Sequence, residues 1–401
     1  MSTTLICGWE GNESLSRATG QSIDSCVLVT AGATIESTIV RSGAHSLKIN
    51  ATSGVAAWAN LVIAIPGYIR FYICVTVLPS SVQRVIFGST TTINLRLNPN
   101  GSIEYYNATT SIGTSTTRLT DTTRFYRIEV RQANGSSVPV LRIDGSTEVV
   151  GSPSTWPAPS AIGASGTEAD ACTVYFDDLI VNNSQFPDPG KVILLTATGD
   201  SLVTNWTRGG GSTNTGLWQS VSALPPPGVA SANETDSTNI ESASSSGSAA
   251  YAATIAAYSS GGIQASDKIN AIQIVLLHGE DIQTGTKTGT VELTSNPIVN
   301  ALTLGAAGNG VGSDAGAHGL YANTNSSSNH WSSETVAGQF IDNPSVVIGS
   351  SPVMKVIKTD VTTRVACVCF MGIYVDYTPA NENVNMSSSP QVGAGIFARL
   401  S

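Results

Sequence analysis

The segment Ile69-Arg-Phe-Tyr-Ile-Cys-Val-Thr-Val77 decides the fold class, because its side chains alternate in character along its whole length. Isoleucine, phenylalanine and valine take every second position, while Tyr72, Cys74 and Thr76 fall between them. A period of two places successive side chains on opposite faces of a strand. The segment therefore predicts a β-strand with one strongly apolar face.

The same alternation recurs through the first half of the chain, in segments that begin at Ser46, Ile93, Ile103, Tyr126, Leu141 and Val174. Asn98-Pro-Asn-Gly101 predicts a turn between two of these segments, and Asp144-Gly145 predicts a tight hairpin between two others. Many short strands with turn clusters between them, and no convincing helix, are typical of a β-sandwich or jelly roll.

The second half also predicts strands, after a break in periodicity at Asn182–Gly190. The predicted strands are Val192–Leu195, Ala271–Leu277, Thr290–Thr294, Val346–Ile348, Val353–Lys358 and Val365–Tyr377. The last is apolar on both faces, which indicates a central strand covered on both sides. Tyr251–Tyr258 fits either a helix or a strand, and Ala223–Ser248 and Gly305–Gly319 are expected to be loops.

These patterns predict an all-β protein of two tandem jelly-roll-like sandwich domains, residues 1–186 and 190–378, with a C-terminal tail at 379–401. Each half ends in an apolar strand that carries an aspartate. The tail regains hydrophobic residues near its end, at Ile396, Phe397 and Leu400. These three residues are our candidates for docking, together with the N-terminal segment; an extra edge strand on the second domain is the alternative.

Composition limits the classes of function. The 401 residues include 28 acidic and 19 basic side chains, a net charge of −9, which argues against a nucleic-acid partner. No apolar run is long enough for a membrane span, and the start lacks the features of a signal peptide. Six scattered cysteines without a CxxC pair predict small core residues in a reducing cytoplasm.

Several segments, in their order along the chain, carry a resemblance to a known fold family. They are Gly8-Trp-Glu10, Arg41–Ile49, Phe125–Val130, Leu141–Gly145 and Tyr175–Val181. Together they resemble the laminin-G/concanavalin-like jelly rolls found in many structural proteins of tailed phages. Val192–Asp200 with Asn205–Arg208 resembles the companion domain that often follows. The resemblance implies a sandwich fold and a place in a virion, although this fold serves many purposes.

The acidic residues give no catalytic pair. Asp177 and Asp178 are adjacent in a predicted strand, so we expect them on opposite faces, one bonded to a nearby turn and the other solvated. Convergent carboxylates, which a glycoside hydrolase needs, are therefore not expected. Calcium at Asp170, Asp177 or Asp178 is an alternative without an identifiable ligand set. The histidines lack metal-site spacing, and neither a nucleophile motif nor a phosphate loop is present.

Trp206, Trp218 and Trp331 lie near asparagine and serine in segments that look like loops or edges. Exposed tryptophan beside amide groups is suited to stacking a sugar ring, so these are candidate glycan-binding residues. The alternative is that each tryptophan closes the end of a sandwich or contacts another subunit.

The sequence favours a non-enzymatic structural component of a tailed-phage virion, such as a capsid decoration, head fibre or tail-associated protein. We expect no cofactor and no metal. The expected partners are other virion proteins and further copies of this chain, plausibly as a trimer. The alternative is a carbohydrate-binding module that recognises a host glycan. A jelly-roll glycoside hydrolase is a third hypothesis, for which no acidic motif is found.

Overall fold

The computed structural model describes residues 3–11, 26–28, 30–61, 67–132, 137–153, 159, 161–165, 168, 170–208, 215–222, 240–242, 249–280, 289–295, 298–304, 331–333, 340–344, 346–358 and 366–382. Across these ranges the chain is nearly all β, which confirms the predicted fold class. Two short 3₁₀ helices, Leu217–Ser220 and Tyr258–Gly261, interrupt the strands. Within the same ranges no helix has the length and apolar character needed to cross a membrane.

In the described ranges, fifteen strands precede residue 183. They are β1 (Thr3–Cys7), β2 (Cys26–Leu28), β3 (Ala33–Glu36), β4 (Ser46–Ala51), β5 (Ala57–Leu61), β6 (Tyr68–Val77), β7 (Arg84–Gly88), β8 (Ile93–Leu97), β9 (Ser102–Asn107), β10 (Thr110–Arg118), β11 (Tyr126–Arg131), β12 (Val140–Ile143), β13 (Ser146–Val150), β14 (Ala161–Ala164) and β15 (Cys172–Asn182).

These strands form two antiparallel sheets packed face to face. One sheet has the order β13-β12-β11-β6-β15-β4-β3, with β1 also paired to β15, and the other has the order β10-β9-β8-β7-β14-β5-β2. The apolar face of Ile69–Val77 lines the core between them, as the alternation predicts, and Phe71 stacks on Phe87 of the opposite sheet at 5.1 Å. Both predicted turns are present: Leu97 pairs with Ile103, and Ile143 pairs with Ser146.

Eleven further strands follow in the part of the second half that the structure describes. They are β16 (Lys191–Thr204), β17 (Trp206–Arg208), β18 (Ile240–Ser242), β19 (Ala250–Ile255), β20 (Lys268–Glu280), β21 (Gly289–Ser295), β22 (Ile298–Leu304), β23 (Trp331–Ser333), β24 (Phe340–Asp342), β25 (Val353–Lys358) and β26 (Ala366–Thr378).

A single long strand, β16, joins the two layers of the second half. Its first part, residues 191–196, pairs with β26, and the rest, residues 197–204, pairs with β19. Strands β17, β18, β26 and β20 lie on one side of this joint, and β19, β25, β21 and β22 lie on the other. A second hydrophobic core, which includes Tyr251, Met354 and Met371, fills the space between the layers.

Strand β26 is covered on both faces, as its sequence predicts. Met371, Ile373 and Val375 point into the second core, while Phe370 and Tyr374 pack against residues of the first half.

Two other segments of the second half differ from a simple strand. Tyr251–Tyr258 resolves into β19 followed by a 3₁₀ turn, whereas the predicted strand at Val346–Ile348 is wrong, because this segment is irregular and turns at Ile348.

Two predictions about organisation remain predictions. The domain limits 1–186 and 190–378 are not tested by the strand pairing alone. Most of the expected tail, including Ile396, Phe397 and Leu400, lies outside the described residues.

Candidate functional site

The most elaborate side-chain arrangement in the described chain lies where the two halves meet, a contact that we call the seam. Its apolar part joins Ile6 and Ile180 of the first half to Val192, Phe370 and Tyr374 of the second. The backbone N–H of Ile6 also donates to Oε1 of Gln273 in β20 at 3.2 Å. Strand β1 is therefore held by both halves.

A β-bulge brings two aspartates of β15 to one loop at the seam. The pairing between β15 and β6 shifts register between Asp177 and Ile180, and Asp178 has a φ of +52°. Oδ2 of Asp177 accepts the backbone N–H of Arg41 at 2.8 Å, and Oδ1 of Asp178 accepts the hydroxyl of Ser42. The prediction of opposite faces with one solvated carboxylate is wrong, because the bulge turns both carboxylates inward and both are fully buried.

Asp178 connects the first half to the start of the second. Oδ1 of Asp178 also accepts the backbone N–H of Val192 at 2.6 Å, and the Ser42 hydroxyl donates to the Val192 carbonyl at 3.0 Å. Charged acceptors strengthen such bonds, and burial keeps water from competing for them. The first strand of the second half is thus fixed where its pairing begins.

Arg41 contacts four separate segments with one side chain. Its guanidinium group forms ion pairs with Asp178 and Glu382, and Nη1 donates to the Gly190 carbonyl at 2.7 Å. The guanidinium carbon lies 3.3 Å from the centre of the Tyr72 ring, a cation–π contact. The planar fork of arginine suits this use, because one group can bind several oxygens at once.

Arg70 and Asp376 form a second ion pair across the seam. Nη2 of Arg70 lies 2.8 Å from Oδ1 of Asp376, and Oδ2 of Asp376 accepts from Nδ2 of Asn270 at 3.2 Å. Arg70 also donates to the carbonyl of Asp188 in the connecting segment. We call Arg41, Arg70, Asp177, Asp178, Asp376 and Glu382 the seam cluster.

Burial dominates the acid–base properties of this cluster. Burial raises the pKa of Asp177 well above its usual range, and the neighbouring Asp178 adds to this rise. Burial also raises the pKa of Asp376, although the Arg70 charge opposes the rise. For Arg70, burial is the largest influence and acts to lower the pKa, but the charge and hydrogen bond of Asp376 together with the charges of Tyr72 and Asp178 outweigh it, so the pKa is raised.

The cluster fixes protein segments to each other. Every carboxylate oxygen of Asp177, Asp178 and Asp376 accepts a hydrogen bond from another protein group. A pocket of about 280 Å³ beside the cluster is lined in part by Lys268 and Asp188, which form an exposed ion pair of 2.6 Å. The carboxylate oxygens of Asp177, Asp178 and Asp376 are therefore already bonded within the protein, whereas Nε of Arg70 is buried without a hydrogen-bond partner.

The candidate glycan-binding tryptophans are not equivalent. Trp206 is 1% exposed and packs on Tyr251 in the second core, so its assignment as an exposed stacking residue is wrong. Its strand pairs with β18, which turns the indole inward. Trp218 is half-buried beside the second core, in a 3₁₀ helix whose first amides bind Asp200. Trp331 lies in β23, and its side chain is outside the described part of the structure.

The remaining candidates have structural surroundings. Asp170 accepts the backbone N–H of Val82 at 2.6 Å and also that of Ser81, and these bonds lower its pKa to about 2. Within the described residues no group of three histidine, cysteine or acidic side chains is placed to hold a metal ion. Cys7, Cys74 and Cys172 are buried in the first half, as the sequence predicts for these positions.

Sequence reasoning missed Arg41, Arg70 and Asp376. The available signal was a charged residue inside an otherwise apolar strand: Arg70 lies within Ile69–Val77, and Asp376 lies within the doubly apolar β26. Such residues are buried only when paired. The missing information was the pairing itself, since the two partners are far apart in the chain.

The fold and the seam define the class of this chain as an all-β protein built from sandwich-like units. No family model matches the sequence, and no curated protein matches it. Among solved structures, the chain is similar to the alginate lyase Aly36B, with 10% identity, a TM-score of 0.32, and coverage of 46% of this chain and 98% of that one.

Two further structures have comparable similarity. A conserved carbohydrate esterase from the Shiga toxin-encoding bacteriophage phi24B has 13% identity and a TM-score of 0.33, over 45% of this chain and 99% of that one. The carbohydrate-binding module CBM66 from Bacillus subtilis has 10% identity and a TM-score of 0.25, over 40% of this chain and 92% of that one. At these scores the likeness identifies neither a family nor an activity for this chain.

Proposed function

We propose that this chain is a non-enzymatic structural component of a tailed-phage virion. The observation that carries the proposal is the seam cluster, which uses buried charged residues to fix two sandwich-like halves to each other. A rigid unit of this kind suits a role in connecting or displaying other parts, because little freedom is lost when it docks. The placement in a virion rests on the resemblance of the first half to phage jelly rolls.

Its partners in this proposal are other virion proteins and further copies of the chain. Virion parts repeat by symmetry, so we expect a homo-oligomer and propose a trimer. The proposed docking residues are the N-terminal segment and Ile396, Phe397 and Leu400.

Quantitative proteomics of purified particles tests this proposal. We expect a copy number per particle that fits the rotational symmetry of the capsid or the tail. The chain should stay with the particles through density-gradient purification. A known host protein measured in the same fractions provides the background. Particles that lack the chain would reject the structural role.

A carbohydrate-binding module is the second candidate, and Trp218 favours it. Its indole is half-buried, and the next residue in the chain, Gln219, has an exposed side chain whose Oε1 accepts from Nη2 of Arg208 at 3.4 Å. A partly exposed indole in a segment that also carries exposed hydrogen-bonding groups is suited to a sugar ring and its hydroxyls. Glycan-array binding that disappears in Trp218→Ala would support this function, and absence of binding in the unmodified protein would reject it.

A further inference from the structure

Charge is unbalanced inside the seam cluster. Four carboxyl groups, those of Asp177, Asp178, Asp376 and Glu382, lie in this cluster with only two guanidinium groups, those of Arg41 and Arg70. Asp177 contacts Arg41 through the backbone N–H and not through the guanidinium group. Three of the carboxyl groups lie fully or almost fully out of solvent. A buried charge without a counter-charge is costly, and a carboxyl group in that position tends to bind a proton instead.

The acidic neighbours of the cluster increase this imbalance. Asp177 faces Glu10 as well as Asp178, and Asp376 faces Asp178 in addition to Arg70. Each further carboxyl group makes a second negative charge in the same space more costly.

The remaining charged or titratable groups around the cluster do not restore the balance. They are Tyr72, Tyr377, His45, Asp267, the Arg127–Glu129 pair and the Lys268–Asp188 pair. Arg127 and Glu129 lie 3.5 Å apart, so together they add no net charge. Lys268 is engaged by Asp188, so it contributes no net charge to the interior. His45 lies 3.8 Å from the carboxylate of Glu10, and burial lowers the pKa of this histidine.

We propose that the seam takes up at least one proton when the two halves close on each other, so that mild acid tightens the seam and alkali loosens it. Separated halves would expose these carboxyl groups to water, where they ionise at their usual pKa. In the closed seam the same groups lie close together and are excluded from solvent. The inference does not depend on the virion role.

The sign of the effect follows from proton linkage. Raised pKa values of Asp177 and Asp376 mean that the folded protein binds more protons than the unfolded chain above about pH 4. The stabilisation is fully present below the usual aspartate pKa, and it is lost as the pH rises through the raised values. His45, with its lowered pKa, acts in the opposite direction below about pH 6.5. Because His45 is present in every variant, the difference in pH dependence between a seam variant and the unmodified protein reports on the seam alone.

Chemical denaturation between pH 5 and 8 tests the proposal in the full-length protein. If the seam releases protons on unfolding, it makes the unfolding equilibrium constant of the unmodified protein increase with pH. The increase is up to about tenfold per pH unit for each proton released. In Asp376→Asn the slope of the logarithm of this constant against pH should be smaller, by an amount that corresponds to the release of up to one proton. Asn is nearly isosteric, and Asn270 can turn its amide so that its oxygen faces the new group.

Asp170→Asn is the matched control. Asp170 binds backbone amides of the loop that follows β6, away from the seam, and its pKa of about 2 keeps it ionised throughout this range. Its slope should match that of the unmodified protein. Parallel slopes for Asp376→Asn and the unmodified protein would overturn the proposal.

A second variant and a local measurement guard against a failure of Asp376→Asn to fold. Glu10→Gln removes a charge that helps to raise the pKa of Asp177, keeps an oxygen for the Ala44 N–H, and should also reduce the slope. Hydrogen exchange at the Val192 amide, corrected for intrinsic rates, should show greater protection at pH 6 than at pH 8. Unchanged protection, or an unchanged slope in Glu10→Gln, would count against proton uptake at the seam.

Discussion

Arg70 and Asp376 lie 306 positions apart in the sequence, yet their side chains form a buried ion pair of 2.8 Å. Arg70 belongs to the strand that decides the fold of the first half, and Asp376 belongs to the last long strand of the second. Both side chains are buried, so neither can exchange its partner for water. The pair therefore specifies how the two halves fit together.

Replacement of Arg70 by methionine should destabilise the protein strongly. The variant leaves Asp376 buried with only Asn270 as a partner, and breaking a buried pair in this way costs about 3–5 kcal/mol. Denaturant unfolding measures the loss. Arg124→Ala is the control, because its pair with Asp144 is exposed and such pairs contribute about 0–1 kcal/mol.

The double variant Arg70→Met with Asp376→Leu separates pairing from packing. An apolar pair of similar volume removes the isolated charge, so much of the lost stability should return. A double variant as unstable as Arg70→Met alone would show that the loss comes from shape and not from the unpaired aspartate.

The sequence predicted the first half well for a physical reason. Alternation in Ile69–Val77 depends only on the strand period, and the hairpin at Asp144-Gly145 depends only on local backbone preference, seen as φ values of +51° and +85°. The inward turn of Asp178 depends on a bulge that strand alternation does not show. Val346–Ile348 failed because three apolar residues in a row do not distinguish a strand from a packed turn.

Gly43 should be required for the loop that carries Arg41. Its φ is +63°, and a Cβ atom there would overlap the carboxylate of Glu10. Glu10 cannot move away freely, since it accepts the Ala44 N–H at 2.8 Å. We expect Gly43→Ala to cost about 2–4 kcal/mol in denaturant unfolding, the sum of backbone strain and overpacking.

Gly54 provides the comparison for that prediction. Its φ is +72°, but no heavy atom lies within 4 Å of the point that a Cβ atom would occupy. Gly54→Ala should therefore show backbone strain alone, about 1–2 kcal/mol. Equal losses at the two glycines would mean that the contact with Glu10 has no energetic weight.

Trp206 should behave as a core residue. Trp206→Ala removes a buried indole that packs on Tyr251, and large-to-small changes of this kind cost about 3–5 kcal/mol. Thermal or denaturant unfolding measures this, with Trp218→Ala as the half-buried comparison, which should lose less. A Trp206→Ala protein of normal stability would contradict the buried position of the indole.

Gly190 gives the most direct test of close approach at the seam. A Cβ atom at this position would lie 2.7 Å from the Tyr377 carbonyl oxygen, 2.8 Å from Oδ1 of Asp376 and 3.0 Å from Nη1 of Arg70. Gly190→Ala should therefore push the two halves apart and cost about 1–3 kcal/mol. Hydrogen exchange should then rise at seam amides and remain unchanged in the first core.

Gly199 is the matched control for Gly190, because it lies in β16, the strand that Gly190 precedes, and its nearest neighbour would be 4.0 Å from a new Cβ atom. Gly199→Ala should be neutral or stabilising, since alanine loses less backbone freedom in a strand. The two substitutions add the same methyl group, so a difference in sign between them measures the packing of the seam rather than an intrinsic effect of alanine. Loss of stability at both positions would instead indicate that this part of the chain tolerates no added side chain, whether or not the seam is near.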